Sequence, residues 1–251
     1  MLKEYSGIRI SGLRSRRADR EKRSADVAAE LAEELLLSRH AVKEDIKVLI
    51  YVTQSPLFMT PSTSFYIAKK LQIGQDCFQY DINQGAGGML IGIQLAASLM
   101  LSLEGAEKGL LLMADDELKY DTGEQTAASV LLLEKSKEKD SRIYVKNASF
   151  GNSFTYYYQG YGDKSVHMDE RFLSTGGKLL EKKIEEISAQ CLNRGITPEH
   201  RICSPQNDSA VRLPIYLEEK QITGCSLLAA LGAGLSVTTL ICDLKKDIYI
   251  I

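Results

Sequence analysis

The fold is decided by the stretch Asp81-Ile82-Asn83-Gln84-Gly85-Ala86-Gly87-Gly88-Met89, which lies between a predicted strand, Asp76–Asn83, and a predicted helix, Leu90–Glu104. A strand that runs through glycines into a helix presents its turn residue to the free backbone N–H groups of the helix N-terminus. A thiol nucleophile is activated at such a position. The turn holds Ala86, whose methyl group cannot act as a nucleophile.

Strands and helices alternate on both sides of this stretch. The amphipathic segment Ser24–Ser38 predicts a helix with Ser24 as its N-cap, and the β-branched run Ile46–Thr53 predicts a buried strand. Similar patterns predict two further helices, Ser62–Leu71 and Gly177–Arg194, and five further strands, Gly109–Ala114, Ala127–Leu133, Arg201–Cys203, Cys225–Leu228 and Ser236–Cys242. This alternation is typical of mixed sheets joined by crossover helices, so we predict an α/β fold.

The second half of the chain repeats the element order of the first. The polar, charged run Glu134–Asp140 lies between them and is the candidate junction. We therefore predict two pseudo-repeated α/β halves, residues 1–140 and 141–251, that pack as one compact unit.

Composition excludes several classes of function. The 251 residues are 44% hydrophobic and 25% charged with a net charge of −2, which is typical of a globular protein without a general attraction to nucleic acid or anionic membranes. No apolar run approaches the ~20 residues of a membrane span, and Met1–Tyr5 has no signal-peptide character, so we expect a cytoplasmic protein. The five cysteines have no metal-ligand spacing, which predicts free, mostly buried thiols and no metal or other cofactor.

Residues 81–89 resemble the active-site segment of the ketoacyl-acyl-carrier-protein synthase III family, D-[IL]-N-x-x-C-[SG]-G-[FM]. Other family segments follow in the same order: T-G-I-R-x-R-R at Gly12–Arg17, E-D-I-D-x-[LI]-I at Glu44–Ile50, T-x-[ST]-P…P-S-T at Thr53–Thr63, G-[DE]-G-A-[AG]-[AS]-V-[VL]-L at Gly123–Glu134, and the terminal strand pair at Leu227–Leu244. The resemblance implies a thiolase-like fold, shortened relative to the family.

The resemblance also implies that the catalytic residues are lost. The family's cysteine falls on Ala86, and the histidine of its P-H-Q-A-N segment falls on Pro205. The asparagine of its H-G-N-[TS]-S segment has no counterpart, because Val211–Thr223 is expected to leave no room for that loop and the helix after it. The first strand of the fold is expected to be largely missing before Gly12. A pseudoenzyme that cannot condense acyl thioesters follows from these departures.

The leading hypothesis is a non-catalytic subunit of a heterodimer or heterotetramer with a catalytic synthase III-type partner, in fatty-acid-like or polyketide/quinolone-type biosynthesis. In the family, the strand before the nucleophile pairs across the dimer, and the loop before P-S-T lines the neighbour's acyl pocket. Carried over, the interface consists of Gln79, Tyr80, Asp81, Ile82 and Asn83, and the residues that reach the partner's substrate are Leu57, Phe58, Met59 and Thr60.

Two alternatives remain open. An acyltransferase or thioesterase could use Cys203 or His167 in a rebuilt pocket, and a stand-alone homodimer could bind an acyl ligand without chemistry. The basic residues Arg14, Arg16, Arg17 and Arg20 could contact an acidic acyl carrier protein, or could be a solvated surface. The cluster carries no aromatic residues, which disfavours single-stranded nucleic acid.

Other candidate sites have simpler interpretations. His40 and His200 are expected to be structural, and Asp115–Glu117 is expected to be a solvated loop rather than a metal site. The tyrosine-rich tract Phe154–Tyr161 predicts either an interface or a cover for the protein's own core.

Overall fold

The computed structural model contains two five-stranded sheets with helices between and outside them. It describes residues 2–18, 21–116, 126–138, 141–149, 157–158, 167–168, 170–204, 209–232 and 235–249. The helices are α1 (Ser24–Ser38), α2 (Thr63–Leu71), α3 (Gly88–Ser102), α4 (Glu170–Leu192) and α5 (Arg212–Lys220). The strands are β1 (Lys3–Ser6), β2 (Ile8–Ala18), β3 (Ile46–Val52), β4 (Phe78–Ile82), β5 (Lys108–Asp115), β6 (Thr126–Lys135), β7 (Arg142–Ser149), β8 (Tyr157–Tyr158), β9 (His167–Met168), β10 (His200–Cys203), β11 (Gly224–Gly232) and β12 (Ser236–Leu244).

The two sheets have closely related strand orders. The first sheet has the order β2-β6-β5-β3-β4, with β3 parallel to both β4 and β5. The second sheet has the order β1-β7-β12-β11-β10, with β10 parallel to β11. Strands β8 and β9 form a separate antiparallel pair. Both large sheets are mixed, as the alternation of strands and helices predicts.

Three hydrophobic cores place the helices in layers. Helices α1 and α2 cover the outer face of the first sheet, where Leu31 and Ile67 are buried against Leu49. Helices α3 and α5 contribute to the core between the two sheets, and α4 covers the outer face of the second sheet. The result is a helix–sheet–helix–sheet–helix arrangement, in which α3 is apolar on nearly all sides because it packs between two sheets.

The structure corrects the expectation that the first strand is largely missing. Strand β2 covers eleven residues and buries Ile8, Ile10 and Leu13. A bulge between Ile10 and Gly12 shifts the alternation of side chains, and arginines occupy the outward positions, so the period-two signal is broken in the sequence. Strand β7 was likewise not predicted. The expected N-cap is also wrong, since Arg23 occupies the N-cap of α1 and Ser24 is its first helical residue.

The second half lacks one helix–strand unit of the first. The first half runs β2-α1-β3-α2-β4-α3-β5-β6, and the second runs β7-α4-β10-α5-β11-β12, apart from the short pair β8–β9. No counterpart of α2 and β4 can fit between β10 and α5, because only residues 204–211 join them. Strand β1 pairs with β7, so residues 3–6 belong to the second sheet although they precede the expected junction at 140.

Within the described residues, no helix is both long and apolar enough to cross a membrane.

Candidate functional site

The turn that precedes α3 lies where the two halves of the molecule meet. The Gly88 N–H donates a hydrogen bond to the Gly85 carbonyl at 2.7 Å, which closes the turn around Ala86. Ala86 is only 2% exposed and belongs to the core between the sheets. Its methyl group therefore occupies the position at the helix N-terminus that a nucleophile would need.

Both halves contact this turn closely. A β-carbon added to Gly88 would lie 2.4 Å from Val52 Cγ1 and 3.0 Å from Ala210 Cβ, so only glycine allows strand β3 and the segment before α5 to approach α3 here. The Gln84 side chain extends toward Gly232, because a β-carbon on that glycine would lie 3.1 Å from Gln84 Nε2. Residues from both sheets thus converge on the N-terminus of α3.

Helix α5 corrects the expectation that residues 211–223 have no room for a helix. It covers Arg212–Lys220 and buries Leu213 and Leu217 in the same core as α3. In each half the corresponding helix, α3 or α5, leads into a strand of equivalent position, β5 or β11. Asn207 and Pro205 lie outside the described residues.

Asp115 contradicts the expected solvated loop. It ends strand β5, is 4% exposed, and accepts hydrogen bonds from Thr53 Oγ1 at 3.0 Å and from the Gln54 N–H at 2.6 Å. The Ser209 hydroxyl donates a further hydrogen bond to its second oxygen. Burial raises the pKa of Asp115, and these three donors act against that rise. The carboxyl joins the end of β3 to the segment before α5.

The neighbouring Asp116 is also structural. Its Oδ1 accepts the Ser24 N–H at 2.7 Å, so it satisfies a backbone donor at the N-terminus of α1, where the Arg23 side chain makes no capping bond. Its own N–H donates to Ser55 Oγ at 2.8 Å. The expected third member of the acidic loop, Glu117, lies outside the described residues. Among the described residues there is no group of three or more potential metal ligands.

The predicted interface residues lie on the edge strand β4 and at its end. Strand β4 pairs only with β3 among the described strands, so its other edge is unpaired there. Tyr80 is 42% exposed, Ile82 is half-buried, and Asn83, just past the strand, is exposed. Gln79 Oε1 is buried without a hydrogen-bond partner among the described residues. Asp81 has an internal role, because its carboxylate accepts the N–H groups of the first residues of α2.

The loop between β3 and α2 holds the other predicted contact residues. Leu57 packs against the outer core of the first sheet, and the Phe58 ring makes an edge contact with Tyr66 of α2 at 5.5 Å between centroids. Met59 is 68% exposed, and Thr60 is exposed and precedes a cis peptide bond to Pro61. The tip of the loop is therefore held from below while Met59 faces outward.

Two of the four arginines of the predicted basic cluster form ion pairs with carboxylates of this chain. Arg16 lies 2.7 Å from Glu34, and Arg17 lies 3.2 Å from Glu219. The Arg14 Nε is buried and has no hydrogen-bond partner among the described residues, and Arg20 lies outside them. The groove beside these residues, between β2 and α5, is lined by both signs of charge: Ser15, Arg16, Arg17, Ile215, Glu218 and Glu219.

The candidate nucleophiles Cys203 and His167 lie on strands β10 and β9. Cys203 ends the edge strand β10 and is exposed, but partial desolvation of its sulfur, followed by the nearby negative charge of Glu181, raises its pKa. His40 is exposed after α1, and His200 is half-buried in β10, as expected for structural residues. The His167 side chain and most of Phe154–Tyr161 lie outside the described part of the chain. The five thiols are free, and three of them, Cys77, Cys191 and Cys242, are buried. This confirms the prediction of free, mostly buried thiols.

Comparison with known proteins identifies relatives for part of the chain by sequence. No protein-family model matches it. A putative 3-oxoacyl-[acyl-carrier-protein] synthase 3 of Campylobacter jejuni is 34% identical over 96 residues, which are 38% of this chain and 27% of that protein. A beta-ketoacyl-[acyl-carrier-protein] synthase III of Chlorobium phaeobacteroides is 26% identical over 198 residues, which are 70% of this chain and 59% of that protein. The chain thus spans less than two thirds of these curated relatives.

Solved structures match over nearly the whole chain. A 3-oxoacyl-(acyl-carrier protein) synthase from Burkholderia xenovorans LB400 has a TM-score of 0.78 at 17% identity, covering 100% of this chain and 97% of that chain. A variant of OleA from Xanthomonas campestris has a TM-score of 0.79 at 16% identity, covering 95% of this chain and 99% of that chain. These matches establish the thiolase-like fold. Together with the relatives in sequence, they make this chain similar to proteins of the ketoacyl-acyl-carrier-protein synthase III family.

Proposed function

We propose that this chain is a non-catalytic subunit that pairs with a catalytic synthase III-type protein and shapes its acyl pocket. The observation that carries this proposal is Ala86, buried in the turn at the N-terminus of α3. A condensing enzyme of this family needs a thiolate there to accept the acyl group, and a methyl group can neither ionise nor form a thioester.

The exposed surface beside β4 supports pairing with another subunit. Phe78 and Tyr80 on β4 are 44% and 42% exposed, and Phe65 on the adjacent helix α2 is 52% exposed. Large exposed apolar side chains next to an unpaired strand edge are typical of a surface that another chain covers. Strand pairing would satisfy the free backbone groups of β4, and the aromatic rings would lose contact with water.

The loop tip supports a role in the partner's pocket. Phe58 and Met59 project beside the same edge, with exposed fractions of 40% and 68%. Met is a flexible apolar side chain that adapts to irregular pockets, and a tip held in one position loses little entropy on docking. In a pair joined through β4, this tip would reach the neighbouring subunit and contact its acyl chain.

The names of the relatives set the class of reaction to which the complex would belong. The proteins of Campylobacter jejuni and Chlorobium phaeobacteroides are named as acyl-carrier-protein synthases. We extend to this chain only the acyl-thioester context, in fatty-acid-like or specialised-metabolite synthesis in the cytoplasm, as part of the proposal. The ion pairs of Arg16 and Arg17 with carboxylates of this chain support placing the main carrier-protein contact on the partner in this proposal.

Co-expression with a synthase III homologue from the same genome tests the pairing. We expect a one-to-one complex by light scattering on a sizing column. Tyr80→Lys should weaken the complex by tenfold or more, because it places a charge in the paired edge. Leu192→Lys is the matched control, since Leu192 is 60% exposed on α4 and far from β4 in the fold. A chain that stays monomeric, or forms only a homodimer that ignores the homologue, would contradict the proposal.

The assignment of catalysis to the partner has its own test. In the purified complex, the partner's nucleophilic cysteine is replaced by serine while this chain is left unchanged. Acyl-thioester condensation should fall to the uncatalysed level, because no nucleophile remains at the α3 turn of either subunit. Residual turnover that depends on this chain would overturn the non-catalytic role.

A further inference from the structure

The strongest unassigned feature is the buried carboxyl of Asp115, which joins three segments of the chain. One oxygen accepts the Thr53 hydroxyl at 3.0 Å and the Gln54 N–H at 2.6 Å, where the chain leaves β3 and enters the loop. The other oxygen accepts the hydroxyl of Ser209, which precedes α5 in the other half of the fold. A single side chain thus connects the loop that carries Phe58 and Met59 to the second half.

The hydrogen-bond pattern assigns an ionised carboxylate. The Thr53 oxygen already accepts the Ser55 N–H at 2.9 Å, and the Ser209 oxygen accepts the Val211 N–H at 3.2 Å. Each hydroxyl proton is therefore available to Asp115, and the third partner is a backbone N–H that can only donate. Three hydrogen-bond donors and no acceptor favour the ionised carboxylate of Asp115. In a protonated Asp115, the added proton would face one of these donors.

The charge that acts most strongly on Asp115 is negative, because it comes from Asp116. The titratable groups that face Asp115 are Asp116, the next residue, and Tyr51, whose hydroxyl points to the Ala114 carbonyl in the adjacent strand. Neither carries a positive charge, and Asp116 adds a negative one. Burial accordingly raises the pKa of Asp115 above that of an exposed aspartate. Protonation of this group therefore starts at a milder acidity than for an exposed aspartate.

We propose that Asp115 is a proton-sensitive clamp that fixes residues 53–55 against the segment before α5 and so sets the position of the loop tip that the partner meets. This deepens the proposed function, on which its biological meaning rests, by naming a regulated element of the docking surface. Ionised Asp115 holds the start of the loop, and protonated Asp115 releases at least one of its three donors. The far end of the loop is held separately, because Asp81 binds the first N–H groups of α2.

Hydrogen exchange of the isolated full chain tests the clamp without any partner. The measured quantity is the protection of the Gln54 and Ser55 amides, corrected for intrinsic exchange, between about pH 4 and pH 8. We expect protection to fall on acidification in the wild type. Asp115→Asn should lower protection of the Gln54 amide by tenfold or more near neutral pH and should abolish its dependence on pH. The α2 amides should not respond, since Asp81 holds them.

Two further variants keep the test decisive if Asp115→Asn folds poorly. Ser209→Ala keeps the buried charge and removes only the connection to α5, so it should raise exchange at residues 54–55 by several fold. Asp76→Asn removes one exposed negative charge elsewhere and should change nothing. Unchanged protection in Ser209→Ala, or a pH response that persists in Asp115→Asn, would overturn the clamp.

The outcomes separate this inference from the proposed function. If the amides behave as expected but no synthase III homologue binds, the clamp stands and the subunit role fails. If the complex forms with equal affinity across the same pH range and the amides show no response, the subunit role stands and the clamp fails. If both hold, the affinity of the complex should decrease on acidification in the wild type, and the decrease should be absent in Asp115→Asn.

Discussion

The carboxylate of Asp81 accepts the backbone N–H of Thr63 at 2.7 Å, and its second oxygen accepts the next N–H, that of Ser64, at 2.8 Å. The first N–H groups of helix α2 are therefore bound by a side chain from the edge strand β4, while the side chain of its own N-cap residue, Ser62, makes no capping hydrogen bond. A carboxylate from a distant part of the sequence thus binds two N–H groups that have no partner within the helix. Its negative charge also interacts favourably with the helix dipole. The proposed docking strand and the helix beside it thus form one connected unit.

Replacement of Asp81 should reveal the strength of this connection. We expect Asp81→Ala to lower the free energy of unfolding by about 1–2 kcal/mol, as for the loss of a helix cap, and Asp81→Asn to lower it less, because an amide oxygen can still accept one N–H. Urea denaturation measures both. Asp76→Ala is the control, since the Asp76 side chain is 90% exposed and its one ion pair, with Lys47, is long at 3.9 Å. This substitution should change the free energy of unfolding by less than about 0.5 kcal/mol. Equal effects at both positions would refute a capping role.

Gly88→Ala tests how tightly the halves pack at the α3 turn. The new β-carbon would lie 2.4 Å from Val52 Cγ1, so the substitution should destabilise by about 1–3 kcal/mol even though alanine favours the helix. Gly74→Ala is the matched control, because nothing lies within 4 Å of a β-carbon there. Unfolding in urea compares the two variants. A stabilised Gly88→Ala would mean that the two sheets do not approach α3 as described.

Acid should weaken the contact between α1 and α2. Burial disfavours the Asp26 carboxylate, but hydrogen bonds from Lys70 and Tyr66 outweigh this and lower its pKa. A carboxyl with a lowered folded pKa stabilises the protein above its unfolded pKa, and this contribution is lost as the pH falls through the folded value. The stability difference between the wild type and Asp26→Asn should therefore be present at neutral pH and shrink in strong acid. Unfolding free energies measured across pH check the sign, and a difference that grows in acid would contradict it.

Cys203 should be a slow nucleophile despite its exposure. Its raised pKa lowers the thiolate fraction at neutral pH, so alkylation by iodoacetamide should be slower than that of free cysteine. Cys203→Ser should leave condensation by the complex unchanged. Mass spectrometry of the alkylated chain gives the rate, and the buried Cys77, Cys191 and Cys242 serve as internal controls that should not react in the native state. Rapid alkylation coupled to loss of turnover would favour the acyltransferase or thioesterase alternative.

Local patterns were sufficient for the elements that bury one regular face. The helix Ser24–Ser38 has the predicted bounds, and the strand predicted as Ile46–Thr53 ends one residue earlier, at Val52. Strand β2 was missed because its bulge breaks the alternation and its arginines mask the buried residues. The sequence does not predict helix α5, because its segment is shorter than the family segment that it resembles. Both errors arose where a local irregularity or a deletion interrupts the pattern.

The sequence by itself determined the alternating α/β elements, the turn before α3, and the presence of Ala86 in it, because periodicity and turn residues are local properties. Only the tertiary structure decided that Asp115 is buried and Asp81 caps α2, and that β1 joins the second sheet. A carboxylate next to a loop has the same local pattern whether water or a distant N–H group surrounds it. Which of these it meets depends on the segments that the fold brings together.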